Sequence, residues 1–198
     1  MMRKKTIVIA AILSVLGVIQ ANAQVTFGVK AGLNGAKEIE KADNITTKAK
    51  GLTGLHIGAV AEISIAETFS IEPGLLLSRK GGIYSGDDRY TTTYAEVPLN
   101  LVYKHALGNE SIRILGFGGP YAGFLLSAKE KYGNQSADAK SSYNSLDYGI
   151  NIGTGVEINK VTVGIQYGIG LANISSVTSV TTKNNVFGIS IGYKFRKD

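Results

Sequence analysis

Three segments in the last third of the chain switch between large apolar and small or polar residues at every step. Residues 146–158 read LDYGINIGTGVEI, residues 161–171 read VTVGIQYGIGL and residues 186–195 read VFGISIGYKF. In the first, Leu146, Tyr148, Ile150, Ile152, Val156 and Ile158 share one parity, and Asp147, Gly149, Asn151, Gly153, Gly155 and Glu157 share the other. In the second, Val161, Val163, Ile165, Tyr167, Ile169 and Leu171 oppose Thr162, Gly164, Gln166, Gly168 and Gly170. In the third, Phe187, Ile189, Ile191, Tyr193 and Phe195 oppose Gly188, Ser190, Gly192 and Lys194. A helix would mix the two sets around its circumference, whereas a strand gives each its own face of a sheet. The chain must therefore build a sheet with one aliphatic face and one face of glycine, hydroxyls, amides and charge.

The same alternation runs upstream. Residues 25–33 set Val25, Phe27, Val29, Ala31 and Leu33 against Thr26, Gly28, Lys30 and Gly32; residues 55–65 set Leu55, Ile57 and Ile63 against His56, Gly58 and Glu62. Residues 69–79 set Phe69, Ile71, Leu75 and Leu77 against Ser70, Glu72 and Ser78, and residues 93–103 set Val97, Leu99, Leu101 and Tyr103 against Glu96, Asn100 and the adjoining Lys104. Residues 111–127 are apolar at both parities, and Gly118, Gly119 and Pro120 predict a bulge that shifts the register midway. Eight strands result. Their links alternate in length: 66–68, 105–110 and 159–160 are short, while 34–54, 80–92, 128–145 and 172–185 are long and polar. An antiparallel meander so linked carries its short turns at one end and its long loops at the other. Bacterial outer-membrane barrels are built this way, with periplasmic turns and external loops.

The chain has 198 residues with no Cys, which excludes disulfides, thiolate metal sites and a lipid-anchoring Cys. Residues 1–23 carry a basic start at Arg3, Lys4 and Lys5, an apolar run at 6–19 and the small-residue site Ala21-Asn22-Ala23. This is the pattern of a secretory signal cleaved after Ala23; its rival is a membrane anchor that stays attached. Arg3, Lys4 and Lys5 leave with that leader and lower the formal net charge of +6 by three, so the remaining single domain, 24–198, is only mildly basic. No basic patch with a nucleic-acid-binding module is present, and no nucleic-acid partner is expected.

The direction in which the two faces point follows from size. An eight-stranded barrel has an interior just wide enough for side chains to fill. The small and polar face fits there, which turns the large aliphatics outward, where they need lipid. Strands of about ten residues match the ~9–11 needed for a tilted crossing. Closure pairs every strand edge, as hydrocarbon demands. Phe27, Phe69, Tyr103, Tyr193 and Phe195 fall near the short-turn end, and Phe124, Tyr148 and Phe187 near the long-loop end, the two levels at which aromatic girdles sit. The expected fold is an all-β, eight-stranded antiparallel up-and-down transmembrane β-barrel.

The inward parity then collects Lys30, His56, Glu62, Glu72, Lys80, Glu96, Lys104, Asp147, Glu157, Gln166 and Lys194. A turn centred on Glu67 sets Glu62 opposite Glu72. Two facing carboxylates repel, so a cation is expected between them, and Lys104 and Lys194 reach that level. A loop centred on Asp88 sets Lys80 opposite Glu96. The set reads as an ion-pair and hydrogen-bond network plugging the lumen, because buried charge must be paired; an ion or proton path along the same groups is the alternative. His56 with Asp147 at the mouth would be the place for a hydrolase or acyltransferase site, but no placed Ser or metal-ligand spacing accompanies them. His105 reads as a solvated turn residue. No HExxH, P-loop, EF-hand or dinucleotide pattern occurs, so no catalytic residue, metal or cofactor is expected.

Seven motifs in this order resemble the PorT-like outer-membrane β-barrel proteins of Bacteroidetes: FGVKAGLN (27–34), IEPGLLLSRKGG (71–82), YAEVPLNLVYK (94–104), GFGGPYAGFLLSAK (116–129), DYGINIGTGVEI (147–158), YGIGLANI (167–174) and GISIGYKF (188–195). The resemblance implies a small eight-stranded outer-membrane barrel, mostly without assigned activity, inserted by the outer-membrane assembly machinery; the namesake members are linked to protein secretion. It supplies no functional residue. Three functions compete: a non-enzymatic barrel in outer-membrane lipid whose external loops serve adhesion, envelope integrity or a protein partner; a soluble periplasmic barrel holding an apolar ligand, as lipocalins do; and a lipid-modifying enzyme at the rim.

Overall fold

A computed structural model of the chain describes residues 24–42, 45–84, 88–133 and 135–195, with the side chains of Ile45, Asn109 and Glu110 excepted. The leader and its cleavage site lie outside these residues. Ten strands follow in order: β1 (Val25–Ala42), β2 (Ile45–Lys48), β3 (Lys50–Ser64), β4 (Phe69–Ile83), β5 (Arg89–Leu107), β6 (Asn109–Tyr132), β7 (Gln135–Asp138), β8 (Leu146–Ile158), β9 (Val161–Gly170) and β10 (Val180–Lys194). Eight of them form the wall in the order β1-β3-β4-β5-β6-β8-β9-β10, every neighbour antiparallel. The ring closes because β10 returns to β1 over a long register, from Gly28 opposite Lys194 to Ala42 opposite Val180. β2 and β7 are short flaps that fold back on the upper parts of β1 and β6.

The alternation sets the two walls as expected. Ile57, Leu75, Leu99, Ile152, Ile165 and Ile189 are exposed on the outside, while Asn34, His56, Ser78, Asn100, Asp147, Asn151 and Glu157 are buried within. The aromatics named above ring the exterior, with Phe69 against Tyr103 and Tyr193 against Phe195 at ring separations of 5.2 and 5.6 Å.

Two expectations are corrected. The segments read as long loops are largely strand: β1 and β3 fill most of 34–54, β4 and β5 most of 80–92, and β10 begins at Val180. Above the lipid belt both faces are polar, so alternation persists in geometry while its hydropathic contrast disappears. The second correction concerns β6. Its register with β5 runs unbroken through Gly118–Pro120, from Pro98 opposite Tyr121 to Leu101 opposite Gly118. One shift comes instead where Thr93 pairs Ser127 and Tyr94 pairs Leu125, leaving Leu126 as the extra residue, and a second at the turn, between Ala106 opposite Arg113 and Leu107 opposite Asn109. Gly118 and Pro120 simply take outward places, and Phe117, Gly119 and Tyr121 inward ones. Cross-strand, Phe117 lies opposite Gly153 and Tyr121 opposite Gly149. A Cβ on Gly153 would overlap the Phe117 ring, and one on Gly149 would come within 2.8 Å of Tyr121 Cε1. Glycine on β8 thus makes the room in which β6 stores two rings inside a narrow lumen.

Candidate functional site in the barrel lumen

The lumen is filled in layers. Near the short-turn end, β3 and β8 supply Glu62 and Glu157, and β5 and β10 supply Lys104 and Lys194. Each ammonium touches both carboxylates: Lys104 Nζ contacts Glu62 Oε1 and lies 3.3 Å from Glu157 Oε2, and Lys194 Nζ contacts Glu62 Oε2 and Glu157 Oε2. Arg113 Nη1 adds a bond of 3.0 Å to Glu157 Oε1, and Ser70 Oγ donates to Glu62 Oε1 at 3.3 Å. Glu157 is only 1% exposed. Burial of these charges is tolerable because every carboxylate is held by at least two cations.

The cation expected between Glu62 and Glu72 sits elsewhere. Ile63 opposite Ile71 and Val60 opposite Gly74 do centre that hairpin on Glu67. Yet the lysines extend across the lumen to Glu157, where each ammonium lies between carboxylates from two walls rather than beside two on one hairpin. Glu72 is half-buried and forms no ion pair among the described residues. It lines a cavity of about 40 Å³ with Lys30, Val60, Val102, Leu115 and Phe117. Lys30 stands 5.2 Å over the Phe117 ring.

Nearer the long-loop end, Lys80 Nζ lies 2.5 Å from Glu96 Oε2 and 3.1 Å from Asp147 Oδ2, and Asn184 Nδ2 donates to the same Asp147 oxygen at 3.1 Å. Lys80 also sits 4.3 Å above the Tyr121 ring and 5.4 Å from that of Tyr94. The backbone pairing differs from expectation: Lys80 is opposite Thr92, and Glu96 is opposite Leu76. The hairpin closes nearer its start than Asp88, and the long lysine stem reaches down the wall to Glu96.

His56 and Asp147 are not brought together. His56 Nδ1 is 2.8 Å from Asn34 Oδ1, an acceptor, so the ring donates from Nδ1; Asn34 Nδ2 donates in turn to Ser78 Oγ and the Arg79 carbonyl, both at 3.2 Å. Gln166 lines a pocket of about 10 Å³ beside these groups. Cavities of 10 and 40 Å³ hold a few waters at most. Among the described residues no three His, Asp or Glu side chains are placed to hold a metal ion. Above, Tyr94, Leu125, Ala128 and Ala139 form an apolar cap joined by Tyr143. Arg113, Ser70, Asn34, Asn184, Tyr94 and Tyr121 were not singled out in the sequence; all but Arg113 and Tyr121 share the parity of an expected lumen residue on their own strand.

An aliphatic exterior around a paired-charge interior, on a ring with no free edge, defines an integral membrane β-barrel. The chain belongs to the family of the outer membrane protein beta-barrel domain, whose family model matches residues 20–176. Among solved structures it resembles Neisserial surface protein A at 14% identity and a TM-score of 0.51, over 87% of this chain and 99% of that one. It also resembles Ail, the attachment invasion locus protein of Yersinia pestis (18% identity, TM-score 0.45, 87% and 99% covered), and OprG of Pseudomonas aeruginosa (14%, 0.47, 90% and 99%). No curated protein matches. The protein is a small outer-membrane barrel in contact with lipid. By the pattern of such barrels the short turns are periplasmic and the extended strands external.

Proposed function

We propose that this barrel is neither an enzyme nor a channel, and that it presents a rigid external head to a partner in adhesion, envelope integrity or secretion. The observation carrying this reading is the lumen crossed by ion pairs at two levels with an apolar cap above. Such an interior leaves no continuous water path, and the charged groups of both layers are paired with one another. The head is equally committed to structure. Asn144 Nδ2 donates to the Asn173 and Ser175 carbonyls at 3.0 and 2.7 Å, and Asn173 Oδ1 accepts the amides of Ser175 and Thr182 at 3.1 and 2.9 Å. Two segments that join different strand pairs are thereby stitched into one surface. In this reading the leader is cleaved after Ala23, the outer-membrane assembly machinery inserts the chain, and the likeness of its motifs to the PorT-like proteins of Bacteroidetes supports a kinship with them. Planar-bilayer recording of the refolded protein tests the closed lumen. The expected trace is flat, and steady ion-selective openings would make the ion path the better reading.

A further inference from the structure

At the external edge of the lipid belt, the outer wall of β3–β6 changes from aliphatic to basic within two or three residues. On β4 the exposed Leu75 and Leu77 are followed by Arg79; on β6, Phe124 and Leu126 are followed by Lys129 and Lys131. β5 descends from Arg89 and Thr91 toward Val97, and β3 passes Thr53 just before Leu55. Arg79, Arg89, Lys129 and Lys131 line one recess of about 250 Å³ together with Thr53 and Ser136.

Register makes the clustering severe. Arg89 lies directly opposite Lys131, with Thr91 opposite Lys129 one place further along. Like charges directly opposed across a strand pair repel. Among the described residues none of the four cations has a carboxylate within ion-pair distance. Asp138 is the β7 neighbour of Lys129, but its Oδ1 accepts the backbone amide of Lys140 at 3.0 Å. In the lumen every lysine of the two ionic layers has carboxylates in contact. Here four cations line one recess, and none of them is paired with a carboxylate of the described residues.

We propose that this recess binds the phosphorylated headgroup of an outer-leaflet lipid. An anion here removes the Arg89–Lys131 repulsion, two guanidinium groups offer forked donors to phosphate oxygens, and the hydroxyls of Thr53 and Ser136 offer further hydrogen bonds. The height of the site favours a lipid over a free ion. Leu77, Val97, Phe124 and Leu126 lie directly beneath, so acyl chains lying on them deliver a headgroup to the recess. Clusters of basic residues at a membrane surface hold anionic lipid additively.

The test uses the refolded full chain in phosphatidylcholine nanodiscs doped with lipid A or with dephosphorylated lipid A, followed by native mass spectrometry of lipid that stays bound on release. The native chain is expected to retain lipid A and not its dephosphorylated form. The quadruple variant Arg79→Gln, Arg89→Gln, Lys129→Gln, Lys131→Gln should lose retention by more than about tenfold, and Lys131→Gln alone by a smaller factor, each still showing a folded band on unboiled gels. Equal retention by either variant, or equal retention of the dephosphorylated lipid, would overturn the proposal. Complete displacement of lipid A by millimolar inorganic phosphate would also overturn it, by assigning the recess to a free anion.

Discussion

On β9, Ile165 is 45% exposed, while its neighbour Gln166 turns into the lumen against Asn34, His56 and Lys80. One step along the backbone separates two solvents. The outer wall asks only that a residue be apolar, and Ile, Leu, Val and aromatic groups are interchangeable there to a first approximation. The inner wall asks for partners: Asp147 is fully buried and is tolerated because Lys80 and Asn184 reach one of its oxygens. Outer positions should therefore be sensitive to polarity and depth, and inner positions to which partner is removed and whether another can stand in.

The largest effect expected is Lys80→Met. Among the described residues Lys80 is the one cation paired with Glu96 and with Asp147, and its loss strands two buried carboxylates. Removing one partner of a buried pair costs about 3–5 kcal/mol, so urea denaturation in lipid vesicles, read by the unboiled gel band, should show failed assembly or a midpoint far below native. The triple variant Lys80→Met, Glu96→Gln, Asp147→Asn should recover most of it. If Lys80→Met alone is as stable as native, the upper layer is not a buried ionic layer. Ile165→Arg follows on the other wall, at about 2–4 kcal/mol for a midplane position. Gln166→Leu, one residue away and inside, should be milder, because it removes a neutral amide and leaves no buried charge unpaired. Equal behaviour of these two would erase the distinction between walls.

The two ionic layers themselves differ in redundancy. Above, one cation serves two carboxylates. Below, three cations serve two, and each of Glu62 and Glu157 keeps Lys194 when Lys104 is gone. Lys104→Met should consequently cost only about 1.5–3 kcal/mol, the value of a charged hydrogen bond, in the same denaturation experiment. A loss as large as that of Lys80→Met would mean that the lower lysines act as one unit rather than as substitutes.

This asymmetry also marks how far the sequence could be read. Period-two alternation located the eight wall strands and the inward parity of every charge in both layers except Arg113 on β6, since parity survives small errors in strand ends. It set the bounds of β8 outright and failed at the upper ends of β1, β5 and β10, where both faces are polar. It could not decide β6, where Leu115, Phe117 and Tyr121 point inward as apolar fillings; the clue was Gly149 and Gly153 on the neighbouring strand, legible only once β6 is known to pair β8. Partner choice was the least legible. Backbone register put Glu62 level with Glu72, but lysine stems of four carbons chose Glu157 across the lumen.

The smallest effect on global stability, and the finest probe of the contrast between lumen and head, concerns Glu38. It lies on β1 five residues beyond Leu33, the last exposed aliphatic of that strand, and is 1% exposed. Tyr84 OH donates to its Oε2 at 2.8 Å. Burial pushes its carboxyl up to about 7, with the neighbouring Glu40 and Asp147 acting in the same direction and the Tyr84 hydrogen bond opposing. Because the folded form holds its proton more tightly than the unfolded chain, with its ordinary value of 4.5, the head gains stability below pH 4.5 and loses it as pH rises to about 7. Each unit of such a difference is a factor of about ten in the opening equilibrium. Hydrogen exchange of the upper β1 amides, corrected for intrinsic rates, should therefore be faster at pH 8 than at pH 5 by at least about tenfold, while the belt amides around Val29 stay unchanged. Glu38→Gln should abolish the difference and hold the head closed at both pH values. Exchange that accelerates equally in the variant would show that the head opens for a reason unconnected with this carboxyl.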